Sequence, residues 1–129
     1  MLDHVGLPVA DMDRSRAFYT KVLAVLGYEL VTDVSEEMGG GTAHAGFGVP
    51  GKPQFWISSG EPLVGRLHLA FSAQDQDAVD RFYYAAIAAG ASDNGPPGLR
   101  PHYHPNYYGA FVFDPDGHNI EAVCHEPQG

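Results

Sequence analysis

The sequence is short of basic residues and has a single cysteine. Lysine and arginine together number 7 against 16 aspartates and glutamates, so the formal net charge is −9. A nucleic-acid partner is therefore not expected, because a phosphate backbone is bound by a basic surface. Cys124 alone can form neither an internal disulfide nor a thiolate metal cluster.

Long hydrophobic runs are also missing. No stretch approaches the roughly 20 apolar residues of a membrane-spanning helix. The first residues have neither the basic region nor the apolar run of a secretory signal. We therefore expect a cytoplasmic protein without membrane association. Hydrophobic residues still make up 44% of the 129 positions, which is enough for one ordinary domain with a real core.

The chain contains an internal repeat with an offset of 64 residues. The segment from Asp3 to Leu30 matches the segment that begins at Leu67. The matching pairs are His4 and His68, Asp11 and Asp75, Asp13 and Asp77, Phe18 and Phe82, and Tyr19 and Tyr83. A repeat of this length indicates duplication of a supersecondary unit and not a solenoid.

Each half predicts the order βαβββ. Short apolar strands, "HVGLPVA" and "RLHLAFS", precede an aspartate in helix N-cap position and a helix with one apolar face. Later strands are expected at "YELVTD", "HAGFGV" and "PQFWIS", then near "GLRPHY" and at "YGAFVFD" and "HNIEAVC". The predicted class is α+β, with two βαβββ modules forming a curved, barrel-like mixed sheet and helices on the outer face.

Strand alternation predicts which side chains face away from the helices. The large apolar residues of each first strand should pack on the helix, so His4 and His68 should face the opposite side. The turn "DPDG" leads into the last strand, where Ile120 should face the helix and Glu121 the other side.

His4, His68 and Glu121 are therefore candidate metal ligands. Two imidazoles and a carboxylate suit a divalent metal such as Fe, Ni, Zn or Mn, and a bound cation would offset the cost of burying a carboxylate. The alternative is that each histidine is an ordinary buried residue that bonds the backbone. His118 and His125 are expected on the surface.

The paired modules, the two histidines and the segment "DPDGHNIE" resemble the vicinal oxygen chelate superfamily. That superfamily includes glyoxalase I, extradiol dioxygenases, fosfomycin-resistance enzymes and metal-free bleomycin-resistance proteins. The resemblance implies one domain over residues 1–129, with module 1 at about 1–62 and module 2 at about 63–129. It also implies that His4, His68 and Glu121 hold the metal, and that the protein is a homodimer.

The fourth carboxylate ligand of glyoxalase I has no counterpart here. The offset of 64 carries Glu121 onto Ile57, and the neighbours that should face the cleft are Trp56 and Ser58. These two residues are candidate substrate contacts. Because the same region of glyoxalase I also supplies the proton-abstracting base, its absence counts against isomerisation of a glutathione hemithioacetal.

The loop "RPHYHPNYYG" is rich in polar aromatic residues. As a substrate lid, His102 or His104 would transfer protons, Tyr103 or Tyr107 would donate to an oxyanion, and Arg100 would hold a carboxylate or phosphate. The first alternative is a rigid loop stiffened by its prolines. The second is that His102 and His104 join or replace the metal ligands, since His-x-His in an extended chain points both rings to one side.

Two functions follow from these observations. One is a metal-dependent enzyme that acts on a small oxygen-bearing substrate, as a lyase, an isomerase or an extradiol-type dioxygenase. The other is a metal-free protein that binds a small ligand, as bleomycin-resistance proteins do. The first is the leading hypothesis, because the symmetric histidine pair and the strand carboxylate indicate a metal site. The missing fourth carboxylate, Trp56, the tyrosines and the acidic net charge are the reasons to consider the second.

Overall fold

Each half of the chain begins with a short strand and continues through one helix into three further strands. The computed structural model describes residues 1–125. The first half contains β1 (Val5–Val9), α1 (Met12–Val25), β2 (Glu29–Val34), β3 (His44–Val49) and β4 (Lys52–Ser59). The second contains β5 (His68–Ser72), α2 (Gln76–Ala88), β6 (Ser92–Leu99), β7 (Tyr108–Phe113) and β8 (Asn119–Cys124).

Both halves have the same strand order. The first sheet runs β1-β4-β3-β2 and the second runs β5-β8-β7-β6. In each sheet the first strand pairs with the last in parallel, and the remaining pairs are antiparallel. This topology confirms the predicted α+β class and the two βαβββ modules. The chain divides into two compact units, Met1–Gly65 and Arg66–Gly129.

Aspartates begin both helices, as the sequence predicts. Asp11 accepts a hydrogen bond from the Arg14 amide at 3.1 Å, and Asp75 accepts one from the Ala78 amide at 2.8 Å. Each cap satisfies an amide that the first helical turn leaves without a partner. The helices then run for 14 and 13 residues.

Each helix covers one face of the sheet in its own unit. The α1 core is formed by Phe18, Tyr19 and Val22, and the α2 core by Phe82 and Ala86, all almost completely buried. Alternate strand residues that face the helices complete these two cores: Leu7, Val9, Ile57, Ala110, Val112, Ile120 and Ala122. The opposite side of each sheet is called the helix-free face below.

Strand β6 lies earlier than the sequence predicts. The strand was expected near "GLRPHY", but it spans Ser92–Leu99. Its sequence, "SDNGPPGL", is rich in residues that disfavour strands, and its pairing with β7 is interrupted twice by register shifts. The loop after it, residues 100–107, forms turns instead of an extended strand.

Candidate metal and substrate site

The turn between β7 and β8 sets the position of the last strand. The Asp114 carboxylate accepts hydrogen bonds from the backbone amides of Asp116 and His118, each at 2.9 Å. Gly117 has a φ of +84°, which a residue with a side chain rarely adopts. Nδ1 of His118 accepts from the Leu67 amide at 2.9 Å, which ties the start of β8 to the segment before β5.

The expectation that His118 lies on the surface is wrong. The residue is 1% exposed, because its ring turns inward to reach the Leu67 amide. Its Nε2 atom is buried and has no hydrogen-bond partner among the described residues. His125 is exposed, as expected.

Glu121 lies on the helix-free face of the second sheet, and its neighbours on β8 show why. Ile120 and Ala122 are fully buried on the helix side, so Glu121 between them points the other way. Its own side chain is nevertheless only 1% exposed. An ionised carboxylate in such a place needs hydrogen-bond donors on its oxygens.

His68 and Tyr107 contact the two carboxylate oxygens. Nε2 of His68 lies 2.7 Å from Oε1 of Glu121, and the Tyr107 hydroxyl donates to Oε2. Burial, and next the hydrogen bond to Glu121, raise the pKa of Tyr107 well above its ordinary value of 10.0. The phenol therefore stays neutral and remains a donor at physiological pH.

Gly109 makes room for the contact between Tyr107 and Glu121. A Cβ atom at position 109 would lie 3.1 Å from Cε1 of Tyr107 and 3.3 Å from Oε2 of Glu121. Both distances are tighter than ordinary van der Waals contact. The absence of a side chain here lets the tyrosine cross the β7 backbone and cover the carboxylate.

The imidazole of His68 remains accessible beside the buried carboxylate. Its side chain is 53% exposed, and its ring lies 6.2 Å from the ring of Phe111. Phe111 is the β7 partner of Glu121. The second unit thus presents an imidazole nitrogen, a carboxylate and an aromatic ring on one face.

His4, the third predicted ligand, belongs to the first unit. It stands immediately before β1, its side chain is 60% exposed, and its Nδ1 lies 2.8 Å from Oδ1 of Asp3. Within residues 1–125, no three histidine, cysteine or acidic side chains form a group that could hold a metal ion. The ligand set His4, His68 and Glu121 stays a prediction, of which the His68–Glu121 pair is in contact.

Trp56 occupies the position in the first unit that Glu121 occupies in the second. Gly6 of β1 pairs with Trp56, just as Ala70 of β5 pairs with Glu121. The sequence offset of 64 selected Ile57 instead, which is wrong by one residue. Ile57 is fully buried on the helix side.

The Trp56 ring lies over a glycine of the neighbouring strand. A Cβ atom at Gly46 would come within 2.9 Å of Cζ3 of Trp56. Ser58, two residues further along β4, is half-buried and pairs with Pro8 and His44. The two predicted substrate contacts therefore share a face, with Trp56 as its large aromatic surface.

The loop 100–107 is held by its own backbone. The Arg100 amide donates to the Tyr107 carbonyl at 2.7 Å, and the Tyr103 amide donates to the Arg100 carbonyl at 2.9 Å. The rings of Tyr103 and Tyr107 lie 5.1 Å apart, and those of His102 and Tyr103 4.2 Å apart. These bonds favour the rigid-loop alternative over a mobile lid. Since the loop is not extended, the argument for adjacent His102 and His104 rings does not apply.

A separate cavity lies beside the start of α1. It is lined by Asp11, Asp13, Arg16, Ser35, Glu36 and Ser59, among others. Two of its acidic groups already have structural roles: Asp11 caps the helix and Asp13 pairs with Arg16 at 2.9 Å. None of the predicted site residues lines it.

The βαβββ unit occurs twice in the chain, and a histidine contacts a glutamate on the second sheet. Together these features define a class of protein. The family model of the Glyoxalase/Bleomycin resistance protein/Dioxygenase superfamily matches residues 1–122. The chain belongs to that superfamily, which confirms the resemblance seen in the sequence. A comparison with curated proteins gave no match.

Solved structures of similar fold cover nearly the whole chain. A glyoxalase/bleomycin resistance protein from Albidiferax ferrireducens T118 is 29% identical, with a TM-score of 0.71, covering 98% of this chain and 99% of that one. A mutant of FosX, a genomically encoded fosfomycin resistance protein from Listeria monocytogenes, is 22% identical, with a TM-score of 0.67 and coverages of 95% and 88%. It was crystallised with Mn(II) and 1S,2S-dihydroxypropylphosphonic acid.

A mutant of glyoxalase I from Zea mays is similar over part of its length. It is 23% identical with a TM-score of 0.71, and the match covers 95% of this chain but 46% of the maize chain. At these identities the FosX and maize structures support the fold alone. No helix within residues 1–125 is long and apolar enough to span a membrane.

Proposed function

We propose that the protein is a metal-dependent enzyme that acts on a small oxygen-bearing substrate. His4, His68 and Glu121 hold a divalent metal in this proposal. One contact carries it: Nε2 of His68 lies 2.7 Å from Oε1 of Glu121, on a face where the imidazole is half exposed. An imidazole nitrogen beside a carboxylate oxygen is a donor set that Fe(II), Mn, Ni and Zn accept.

The bound metal would supply Lewis acidity toward neighbouring oxygens of the substrate. The residues of the chain would do the rest. Tyr107 orients the Glu121 carboxylate by donating to Oε2, as partners of metal ligands commonly do. Phe111 gives the substrate an apolar surface next to His68.

The position of Trp56 narrows the reaction class. A tryptophan at the register of the missing carboxylate removes the base that a glyoxalase I reaction would need there. Extradiol-type oxidation and lyase or isomerase chemistry on other substrates remain compatible with His4, His68 and Glu121. FosX, of similar fold, was crystallised with Mn(II) and a dihydroxylated phosphonic acid.

Metal analysis of protein purified without a histidine tag tests this proposal. Wild-type protein is expected to bind metal stoichiometrically, and His68→Gln and Glu121→Gln to lose at least about tenfold in metal affinity. His102→Gln is the matched control, since it removes an exposed histidine of the 100–107 loop. Full metal content in both ligand variants would overturn the assignment.

The second candidate is a metal-free protein that binds a small ligand. It is favoured by Trp56, a half-buried aromatic residue whose strand pairs with the glycine-bearing strands β1 and β3, and by the hydrogen bonds that already satisfy both Glu121 oxygens. Trp56 is the single tryptophan, so fluorescence reports on it alone. With bleomycin as probe, this candidate predicts quenching that a chelator does not change. Quenching that disappears with chelator would exclude it, and no quenching would exclude bleomycin as its ligand.

We also propose that the protein is a cytoplasmic homodimer forming a single domain of the superfamily type. Two arguments support the dimer. Chains of this superfamily type often dimerise, and closed two-fold assemblies are the commonest oligomers. Sedimentation velocity on the tag-free protein tests it. Twice the mass of the chain is the expected result, and a monomer at high concentration would contradict it.

A further inference from the structure

Arg100 follows strand β6 and lies on the helix-free face of the second sheet. The guanidinium carbon is 5.4 Å from the centre of the Phe111 ring. Nη2 donates to the Pro96 carbonyl at 2.7 Å, which fixes the direction of the group. A guanidinium has five N–H donors, so most of them are left for other acceptors.

Two glycines give this side chain its place. A Cβ atom at Gly95 would lie 3.2 Å from Nη2 of Arg100, and one at Gly98 would lie 3.0 Å from Nη1. Gly95 also has a φ of +145°, where a side chain would be strained. The guanidinium therefore packs against the backbone of β6 at positions where the strand has no side chains.

Arg100 has no carboxylate partner among residues 1–125. Arg16 pairs with Asp13 and Asp33, and Arg81 pairs with Asp77. No described acidic side chain lies within 4.0 Å of Arg100. Arg66 also has no carboxylate partner among the described residues, and it lies over the Phe113 ring at 4.4 Å. Arg100 differs from it because the ring beneath Arg100, Phe111, also lies next to His68.

Phe111 lies between Arg100 and the His68–Glu121 pair. Its ring is 5.4 Å from the guanidinium carbon and 6.2 Å from the ring of His68. A molecule lying on Phe111 would reach both groups at once. A bidentate guanidinium recognises carboxylate and phosphate oxygens by geometry as well as charge.

We propose that Arg100 binds an anionic group of the substrate, so that the substrate class is small oxygen-bearing acids: carboxylates, phosphates or phosphonates. The anion subsite at Arg100 is one part of this inference. The other part, that the remaining oxygens of the substrate lie toward His68 and Glu121, rests on the proposed function. The anion subsite itself stands on Arg100, Phe111 and the two glycines of β6.

Titration of the metal-free protein with inorganic phosphate tests the subsite apart from the metal. The Nε–H signal of Arg100 in ¹⁵N NMR is expected to shift with saturation. Arg100→Gln is expected to weaken phosphate binding by at least about tenfold, the loss of one charge-assisted contact. The phosphate affinity of Arg100→Lys should fall between those of wild type and Arg100→Gln, because lysine keeps the charge and loses the planar, bidentate donor geometry.

Arg81→Gln is the matched control, since Arg81 is an exposed cation already paired on α2. It should bind phosphate as wild type does, and Arg100→Gln should keep the wild-type metal content and melting temperature. No shift at Arg100, or equal weakening in the two Gln variants, would overturn the subsite. Loss of metal content in His68→Gln concerns the proposed metal site and is measured separately.

Discussion

A buried carboxylate is the central residue of this molecule. Glu121 is fully enclosed, yet both of its oxygens have donors within the second unit: His68 on one and Tyr107 on the other. The cost of burying a carboxylate in an apolar strand is therefore offset by donors of the chain itself, before any metal is considered. A metal would replace part of this network and not fill an unsatisfied site.

Tyr107→Phe is expected to lower the free energy of unfolding of the metal-free protein by about 1–3 kcal/mol. The substitution removes the donor to a buried carboxylate oxygen and leaves the packing ring in place. Urea unfolding followed by circular dichroism measures the change. Tyr103→Phe, which alters an exposed ring of the same loop, should stay within about 0.5 kcal/mol of wild type. An equal, small effect of both changes would contradict the account.

At the residue scale the sequence predicted part of the site. Alternation along the strands, together with the repeat, selected His68 and Glu121, which are in contact. The contact of Tyr107 with Glu121 could not be predicted, because it depends on a turn and on the missing side chain of Gly109. His118 was misplaced for a similar reason, since a histidine after a turn gives no sign that its ring will bond the Leu67 amide.

At the scale of elements, α2 is joined to its sheet by a polar contact as well as an apolar one. The Tyr108 hydroxyl donates to Oδ1 of Asp80 at 2.6 Å, linking β7 to the helix. Burial first, and then the hydrogen bond to Asp80, raise the pKa of Tyr108 to about 12 from its ordinary value of 10.0. The folded state therefore favours the neutral phenol.

This shift predicts how the link responds to alkali. A pKa raised on folding stabilises the protein fully below pH 10, and the contribution is lost as the pH rises toward about 12. The difference in unfolding free energy between wild type and Tyr108→Phe should therefore be largest at neutral pH and shrink between pH 10 and 12. Urea unfolding across this range measures it. A difference that stays constant to pH 12 would be contrary to the expectation.

Seven of the eight strands found within residues 1–125 could be predicted from apolar alternation and turn residues, and β6 could not. Its residues, "SDNGPPGL", carry two glycines and two prolines, and pairing with β7 alone makes it a strand. The same glycines then admit the Arg100 guanidinium, so the unusual composition has a structural consequence at the site.

At the scale of the whole molecule, duplication produced two units with one topology and different chemistry. The second unit carries Glu121 at the position where the first carries Trp56. The constant offset of 64 failed in the last strands because the register there differs by one residue. The repeat therefore predicts the fold of both units well. It predicts which residues of the two units are equivalent only where no insertion changes the offset.

Metal binding is expected to affect both units, because the proposed ligands come from both. Hydrogen exchange followed by mass spectrometry should show slower exchange around β1 as well as around β5 and β8 when metal is added. Glu121→Gln should remove the protection in both places. Protection confined to residues 66–125 would instead mean that His4 is not a ligand.

The most direct test is anomalous diffraction from crystals of tag-free protein grown with Mn(II) or Zn(II), recorded at the edge of that metal. The account predicts a peak about 2.0–2.2 Å from Nε2 of His68 and from a carboxylate oxygen of Glu121, with His4 completing the ligands. Metal-soaked crystals with no peak at this pair, and His68 still hydrogen-bonded to Glu121, would contradict it.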